Sequence, residues 1–300
     1  MLALDTLKSQ RGKKKINGRP VAFVKEVETG KTVGLLKILD DEDSEIGEEL
    51  IELPKDLEFK LCPETRDSMI DVVMCTGPQG VGKSTIAASY FNAFDELFDG
   101  DESTKYIISA DDIDDPAFEG IPHTRIIVDE TWDEAPPQLE DFISKDGGRV
   151  VICLDDTEGC KANKKRALAF ENLVERILTQ GRKHLINTFM ISHLAANSKA
   201  TRNILNELNT FIYFPRLGNG RNLQYCLDKH INMSKEMRDY LKNSDWGRSV
   251  TIKKNCPEMI IGQHRAAIYN HDDCASALKK RSIIDKKRAT MEAEQMLGLR

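Results

Sequence analysis

Between residues 71 and 214 the chain alternates short apolar runs with helix-forming stretches. The runs Ile126-Ile127-Val128 and Val150-Val-Ile-Cys-Leu154 are continuous and rich in β-branched residues, as strands covered on both faces should be. The pattern predicts strands at Asp71–Cys75, Tyr106–Ser109, Arg125–Val128, Val150–Leu154, Ile186–Ser192 and Thr210–Phe214. It predicts helices at Lys83–Phe98, Leu139–Ser144, Lys164–Thr179 and Lys199–Leu208. Such alternation indicates an α/β fold with a mainly parallel sheet flanked by helices.

The flanks read differently. A basic opening (Lys8, Arg11, Lys13, Lys14, Lys15, Arg19) leads to β-rich stretches at Val21–Val27 and Val33–Ile38, joined across a Glu-Thr-Gly turn. The acidic segment Asp40–Glu49 comes next, then a second strand pair towards Leu61, which together predict a small N-terminal β subdomain. Beyond Phe214, Leu217-Gly-Asn-Gly-Arg-Asn222 resembles a hairpin turn, and Arg248–Lys253 and Met259–Ile261 could pair as strands. The last thirty residues carry a basic cluster (Lys279, Lys280, Arg281, Lys286, Lys287, Arg288) and read as a surface helix. The expected division is therefore 1–69 as a β-rich accessory region, 70–216 as the core, 217–270 as a β/α extension and 271–300 as a basic helical tail.

Composition narrows the classes. With 40% hydrophobic and 31% charged residues in 300, the chain has the mix of a soluble globular protein. No apolar run reaches the roughly 18 to 20 residues of a membrane helix. The opening MLALDTLKSQRGKKK places its charges after its apolar stretch, the wrong order for a signal peptide. Seven dispersed cysteines without a C-x-x-C pair are expected as reduced thiols of a cytosolic protein. A net charge of −6 argues against a protein that coats nucleic acid with its whole surface, while leaving room for a local basic patch.

The chemistry centres on Gly77-Pro78-Gln79-Gly80-Val81-Gly82-Lys83-Ser84, which fits G-x-x-x-x-G-K-[ST] at every fixed position. The three glycines let successive N–H groups turn inward towards phosphate oxygens. Lys83 can reach the β- and γ-phosphates, and the Ser84 hydroxyl can take a Mg²⁺ position, with Thr85 completing the expected nucleotide-binding set. The run comes after a buried-looking strand and opens a helix, which is the context the motif requires.

A triphosphatase also needs an acid at a neighbouring strand end. Two pairs compete: Asp129-Glu130 after Arg125-Ile-Ile-Val, and Asp155-Asp156 after Val150-Val-Ile-Cys-Leu. The downstream residues favour the second pair. Asp156 is trailed by a helix, then Gly181-Arg-Lys-His184, then a strand ending in Ser192-His193.

In its order of motifs the chain resembles the poxvirus-type genome-packaging ATPases of large double-stranded DNA viruses, a branch of the FtsK–HerA superfamily of P-loop ATPases. The phosphate loop, Asp114-Asp-Pro-Ala-Phe118, Leu154-Asp-Asp156 and Gly181-Arg-Lys-His184 leading into Ile186–His193 carry the resemblance over about residues 70 to 215, with Thr201-Arg-Asn203 as a weaker match. The resemblance implies an ATP- and Mg²⁺-dependent motor with a RecA-like core that moves double-stranded DNA, by its backbone, into a capsid. By position, Lys83 and Ser84 would bind phosphate and Mg²⁺, Asp155 the metal, and Asp156 would orient water. His193 stands where the family places a sensor glutamine, and its imidazole can also donate a hydrogen bond. Family members form rings, usually hexamers, in which a neighbour's arginine completes the site; Arg202 is the first candidate and Arg182 the second. Capsid or vertex proteins would be partners, and the host cell's cytoplasmic virus factory or the virion the location. DNA-contacting patches could be Lys161, Lys164, Lys165 and Arg166, or the cluster from Lys279 to Arg288. Two other classes use the same loop. A small-molecule or nucleotide kinase would need an arginine-rich lid, which the sequence does not show. A nucleotide-binding assembly scaffold is opposed by the intact Lys83, Ser84 and Asp155.

Overall fold

The computed structural model describes residues 1–6, 16–39, 48–67, 69–98, 104–155, 163–195, 199–217, 220–254 and 257–269, with the backbone alone at 199–202. In chain order the first strands are β1 (Leu2–Thr6), β2 (Gly18–Glu26), β3 (Thr32–Leu39), β4 (Leu50–Glu52) and β5 (Leu57–Leu61). Four of them form an antiparallel sheet in the order β1-β3-β2-β5. This is the small N-terminal β unit expected from the sequence.

The core comprises β6 (Val72–Thr76), α1 (Lys83–Leu97), β7 (Thr104–Ser109), β8 (Thr124–Ile127), β9 (Val150–Asp155), α2 (Lys164–Gln180), β10 (Ile186–Ser192), α3 (Lys199–Glu207) and β11 (Thr210–Tyr213). After it come α4 (Arg221–Lys229), α5 (Lys235–Asn243), β12 (Val250–Lys253), β13 (Met259–Ile261) and β14 (Arg265–Ile268). Strands β11-β6-β10-β9-β7-β8 lie side by side and parallel. The antiparallel strands β12, β13, β14 and β4 extend the sheet from β11 to a total of ten.

The period of two along each strand sorts residues to opposite faces. Val72 and Met74 of β6 pack with Val150, Ile152 and Leu154 of β9 against Phe170, Leu173 and Val174 of α2. Val73 and Cys75 pack with Val151 and Cys153 against Tyr90, Phe91 and Phe94 of α1. The α1 face continues beyond the parallel strands as the N-terminal sheet, whose Val24, Leu36 and Phe59 pack on Met259, Ile261 and Ala266. The result is a mainly parallel sheet of P-loop type between two layers.

Three sequence expectations are corrected. The strand pair towards Leu61 does not form: β5 joins β2 in the small sheet, whereas β4 crosses to pair with β14 in the large one. The predicted helix at Leu139–Ser144 is a single 3-10 turn at Leu139–Phe142, closed by a capping box between Gln138 and Asp141. Pro136 and Pro137 before it and Gly147 and Gly148 after it leave no room for further turns. The expected hairpin turn at Leu217–Asn222 instead leads into α4, because Cys226 and Leu227 bury one side of a helix opened by Gly220. Residues 218–219 and the predicted tail helix at 271–300 lie outside the described residues.

Polar side chains fix where β6 begins. Asn187 accepts from the Asp71 N–H (2.8 Å) and donates to the Val150 and Leu185 carbonyls (3.2 and 3.1 Å). Asp71 in turn accepts from the Glu64 N–H and the Tyr90 hydroxyl, both at 2.8 Å. Glu64 is buried beside Arg19 and Arg66, at 3.1 and 2.8 Å. Burial pushes its carboxyl up, but hydrogen bonds from Arg66 and the charge of Arg19 outweigh this and hold it at about 2, against an ordinary 4.5. A lowered carboxyl contributes stability above its ordinary value and loses it as the pH falls through the folded one. Glu64→Gln is therefore expected to cost on the order of 3 kcal/mol at pH 7 in urea unfolding. The gap to the wild type should narrow progressively below pH 4.5; a gap independent of pH would refute this assignment.

Candidate nucleotide site

The phosphate loop leaves the buried end of β6 and enters α1 at Lys83. Gly80 and Gly82 adopt φ of 72° and 97°, the left-handed region where side chains are strained. Gly77 is required for another reason: a Cβ there would lie 2.7 Å from the Phe214 ring and 3.2 Å from Val81. Helix α1 starts without a side-chain cap or an acidic residue in its first turn. Its first amides and the positive end of its dipole thus face the loop unneutralised, which suits an anion.

Lys83 is buried, and its ammonium donates to the carbonyls of Gly77 (3.0 Å) and Pro78 (2.8 Å). It also lies 3.4 Å from Nδ1 of His193. An ammonium can only donate, so where this contact is a hydrogen bond Nδ1 accepts and the imidazole proton sits on Nε2. The turn after β10 is tied to the loop, since the Gly77 N–H donates to the Ser192 carbonyl at 3.3 Å.

The order of strands separates the two acid pairs. Strand β10 alone stands between β6 and β9, whereas β8 lies at the sheet edge with β10, β9 and β7 in between. At normal strand spacing this places the end of β8 about 19 Å across the sheet from β6, and the end of β9 about 10 Å. Asp155 is the last residue of β9 and alternates onto the α1 face with Val151 and Cys153. Burial pushes the Cys153 thiol well up, and the neighbouring negative charge of Asp155 adds to the rise. Asp129 instead accepts from the Thr131 N–H (2.9 Å) and hydroxyl (2.6 Å), capping its own 3-10 turn. Those bonds hold its carboxyl below the usual range.

The remaining predicted residues are scattered or out of view. Asp156 lies outside the described residues, as does the side chain of Arg202, whose backbone belongs to the first turns of α3, just after β10. Arg182 is in the turn that enters β10, at the opposite edge of the sheet from its own phosphate loop. Asp115 caps a short turn through the Ala117 N–H, and Phe118 of that turn packs on Phe91 of α1 at 5.5 Å. Of the proposed basic patch, Lys164 and Lys165 are exposed, Arg166 is paired with Asp133 at 3.1 Å, and Lys161 lies outside the described residues. Two residues near the loop escape sequence reasoning. Phe214 seats against Gly77, and Arg248 donates to the Gly80 carbonyl at 3.3 Å across 168 positions of sequence. No motif marks either.

Among the described residues no group of three or more His, Cys, Asp or Glu could hold a metal ion. A hydroxyl (Ser84) and one carboxylate (Asp155) are oxygen donors that suit Mg²⁺, an ion that keeps waters and takes the rest of its shell from phosphates. The donor set therefore fits a magnesium ion that arrives with a triphosphate. Among the described residues no helix is long and apolar enough to cross a membrane.

No family model matches the chain. It is 27% identical over 231 residues to uncharacterized protein V3 of Sputnik virophage, spanning 75% of this chain and 87% of that protein. Among solved structures it is similar to B204, the DNA-packaging ATPase of Sulfolobus turreted icosahedral virus, at 14% identity and a TM-score of 0.44. That match covers 65% of this chain and 98% of B204. It is also similar to the pCW3 conjugation coupling protein TcpA with ATPγS, at 11% identity, a TM-score of 0.43 and coverage of 88% and 82%.

The tight seat of Gly77 gives a coupled expectation. Gly77→Ala should destabilise the loop by about 1 to 3 kcal/mol through overpacking, and Phe214→Leu in the same chain should recover part of that loss. Thermal unfolding of the two single variants and the double variant measures the coupling; strictly additive losses would show that the ring is not the obstacle.

Proposed function

We propose that this chain is an ATP-hydrolysing motor that moves double-stranded DNA into a viral capsid. The observation that carries the hydrolytic part is the contact between Lys83 and His193, the residue just after β10, with β10 alone separating the loop strand from the strand that ends in Asp155. Loop strand, sensor strand and acid strand then surround one space above the carboxyl ends of the sheet.

In this reading the loop amides and the start of α1 hold the β- and γ-phosphates, and Lys83 exchanges its carbonyl partners for phosphate oxygens. Ser84 and Asp155 hold Mg²⁺, which when bound neutralises charge on the phosphates. Asp156 orients a water for attack on the γ-phosphorus, with ADP leaving, and His193 donates its Nε2–H to the γ-phosphate or that water. A neighbouring subunit of a ring, hexameric by resemblance, supplies Arg202 to stabilise the transition-state charge. Lys164, Lys165 and the basic residues from Lys279 to Arg288 contact the DNA backbone, while a net charge of −6 confines binding to such local patches. The packaging part is supported by the order of motifs, and the match to a virophage protein is in keeping with it.

Two experiments test this. ATP turnover by the full chain should rise several-fold with linear duplex DNA at low salt, and the stimulation should fade as salt is raised. No stimulation, or transfer of phosphate to a small acceptor, would overturn the motor reading. Separately, Lys83→Ala and Asp155→Asn should each lower turnover by about 10²-fold or more, whereas Asp129→Asn should stay within about twofold of wild type. Loss of activity in Asp129→Asn but not Asp155→Asn would reverse the assignment of the acid.

A further inference from the structure

Two cations hold carbonyls of the phosphate loop among the described residues. Lys83 takes those of Gly77 and Pro78, and Arg248, 168 positions away, takes that of Gly80. In the proposed turnover Lys83 leaves its carbonyls for phosphate oxygens. Arg248 has no such exchange to make and can stay on the loop throughout.

Arg248 is exposed, but the backbone that carries it is held on every side. Trp246 before it is buried, and its carbonyl accepts from the Gln263 N–H at 2.8 Å. The Gln263 carbonyl in turn accepts from the Phe59 N–H of β5, also at 2.8 Å. Gly247 and Gly262 let these segments touch. A Cβ at Gly247 would lie 2.5 Å from the Gln263 Cβ, and one at Gly262 would lie 2.2 Å from the Trp246 carbonyl oxygen. Two residues after Arg248 the chain enters β12 at Val250, which is buried. The guanidinium therefore reaches the loop from a fixed base.

A trans peptide unit is flat, with its C=O and N–H pointing in opposite directions. The unit that joins Gly80 to Val81 turns its C=O to Arg248, so the Val81 N–H points the other way. Inward-pointing amides are what a phosphate loop offers its anion. Glycine lets such a unit rotate at little cost, and Gly80 and Gly82 sit on both sides of Val81. A charged donor on the carbonyl opposes that rotation and polarises the unit, which strengthens its N–H as a donor. We infer that Arg248 is a positioning residue of the phosphate loop, aiming the Val81 N–H at a phosphate oxygen through the Gly80 carbonyl. The antiparallel extension of the sheet then takes part in phosphate binding without touching the ligand. This role rests on the reading of Gly77–Thr85 as a triphosphate site.

The test compares the full wild-type chain with Arg248→Met, which keeps the stem and removes the donor, and Arg248→Lys, which restores one donor. The first readout is calorimetric binding of ATP and of inorganic tripolyphosphate, each with magnesium. Arg248→Met should weaken both ligands by the same factor, about three- to tenfold. Arg248→Lys should recover most of that loss, since one carbonyl needs one donor. The second readout is hydrogen–deuterium exchange without added ligand. The peptide spanning residues 77–84 should exchange faster in Arg248→Met and close to the wild-type rate in Arg248→Lys. Unchanged affinity in Arg248→Met, a loss confined to ATP, or unaltered exchange of the loop would each overturn the positioning role alone. Failure of the wild type to bind either ligand would overturn it together with the phosphate-loop reading.

Discussion

A strand buried on both faces can be held in place only through its neighbours and its ends, and β6 is such a strand, with all five of its residues buried. Its flanks are fixed by pairing with β10 and β11. Its entry is fixed by side chains rather than by a turn. Asn187 takes the Asp71 N–H, and Asn209 accepts from the Val72 N–H at 3.1 Å while donating to the Ile70 carbonyl at 2.7 Å. Buried amides of this kind carry a large penalty if left unpaired, so the strand cannot slide along its neighbours without exposing several at once. The loop at the other end inherits that precision. Lys83, His193 and Asp155 come to one edge because the three strands that deliver them share one register.

Much of the core was legible because its signals are local. Continuous β-branched runs located the six parallel strands to within about two residues, the usual uncertainty of element ends. The phosphate loop was legible because glycine spacing, a lysine and a hydroxyl within eight residues leave few alternatives. The choice between Asp155 and Asp129 was not settled by pattern, since both end an apolar run and both are succeeded by a second acid. Lateral order in the sheet puts β9 nearer the loop strand than β8, and lateral order is a long-range property that no window of sequence contains.

What stayed hidden was hidden for the same reason. The partner of β4 is β14, and nothing in Leu50-Ile-Glu52 says that its neighbour lies near the other end of the chain. The turn at Leu217–Asn222 misled because glycine and asparagine mark hairpins and helix starts alike; only the burial of Cys226 and Leu227 decides. Arg248 carries no motif at all and is found by its contact with the Gly80 carbonyl.

The crossing of β4 into the large sheet has a consequence for how the protein is made. During synthesis the first strands emerge long before β14 exists, so β4 must wait unpaired while the whole parallel core is threaded out and folded. Pairings of such sequence separation are slow to close and leave a bare strand edge in the meantime. The four-stranded unit at the start of the chain can hydrogen-bond within itself early, but its apolar face rests on Met259, Ile261 and Ala266 and must stay uncovered until they arrive. Among the described residues the last strand to leave the ribosome, β14, is thus the one that β4 has been waiting for.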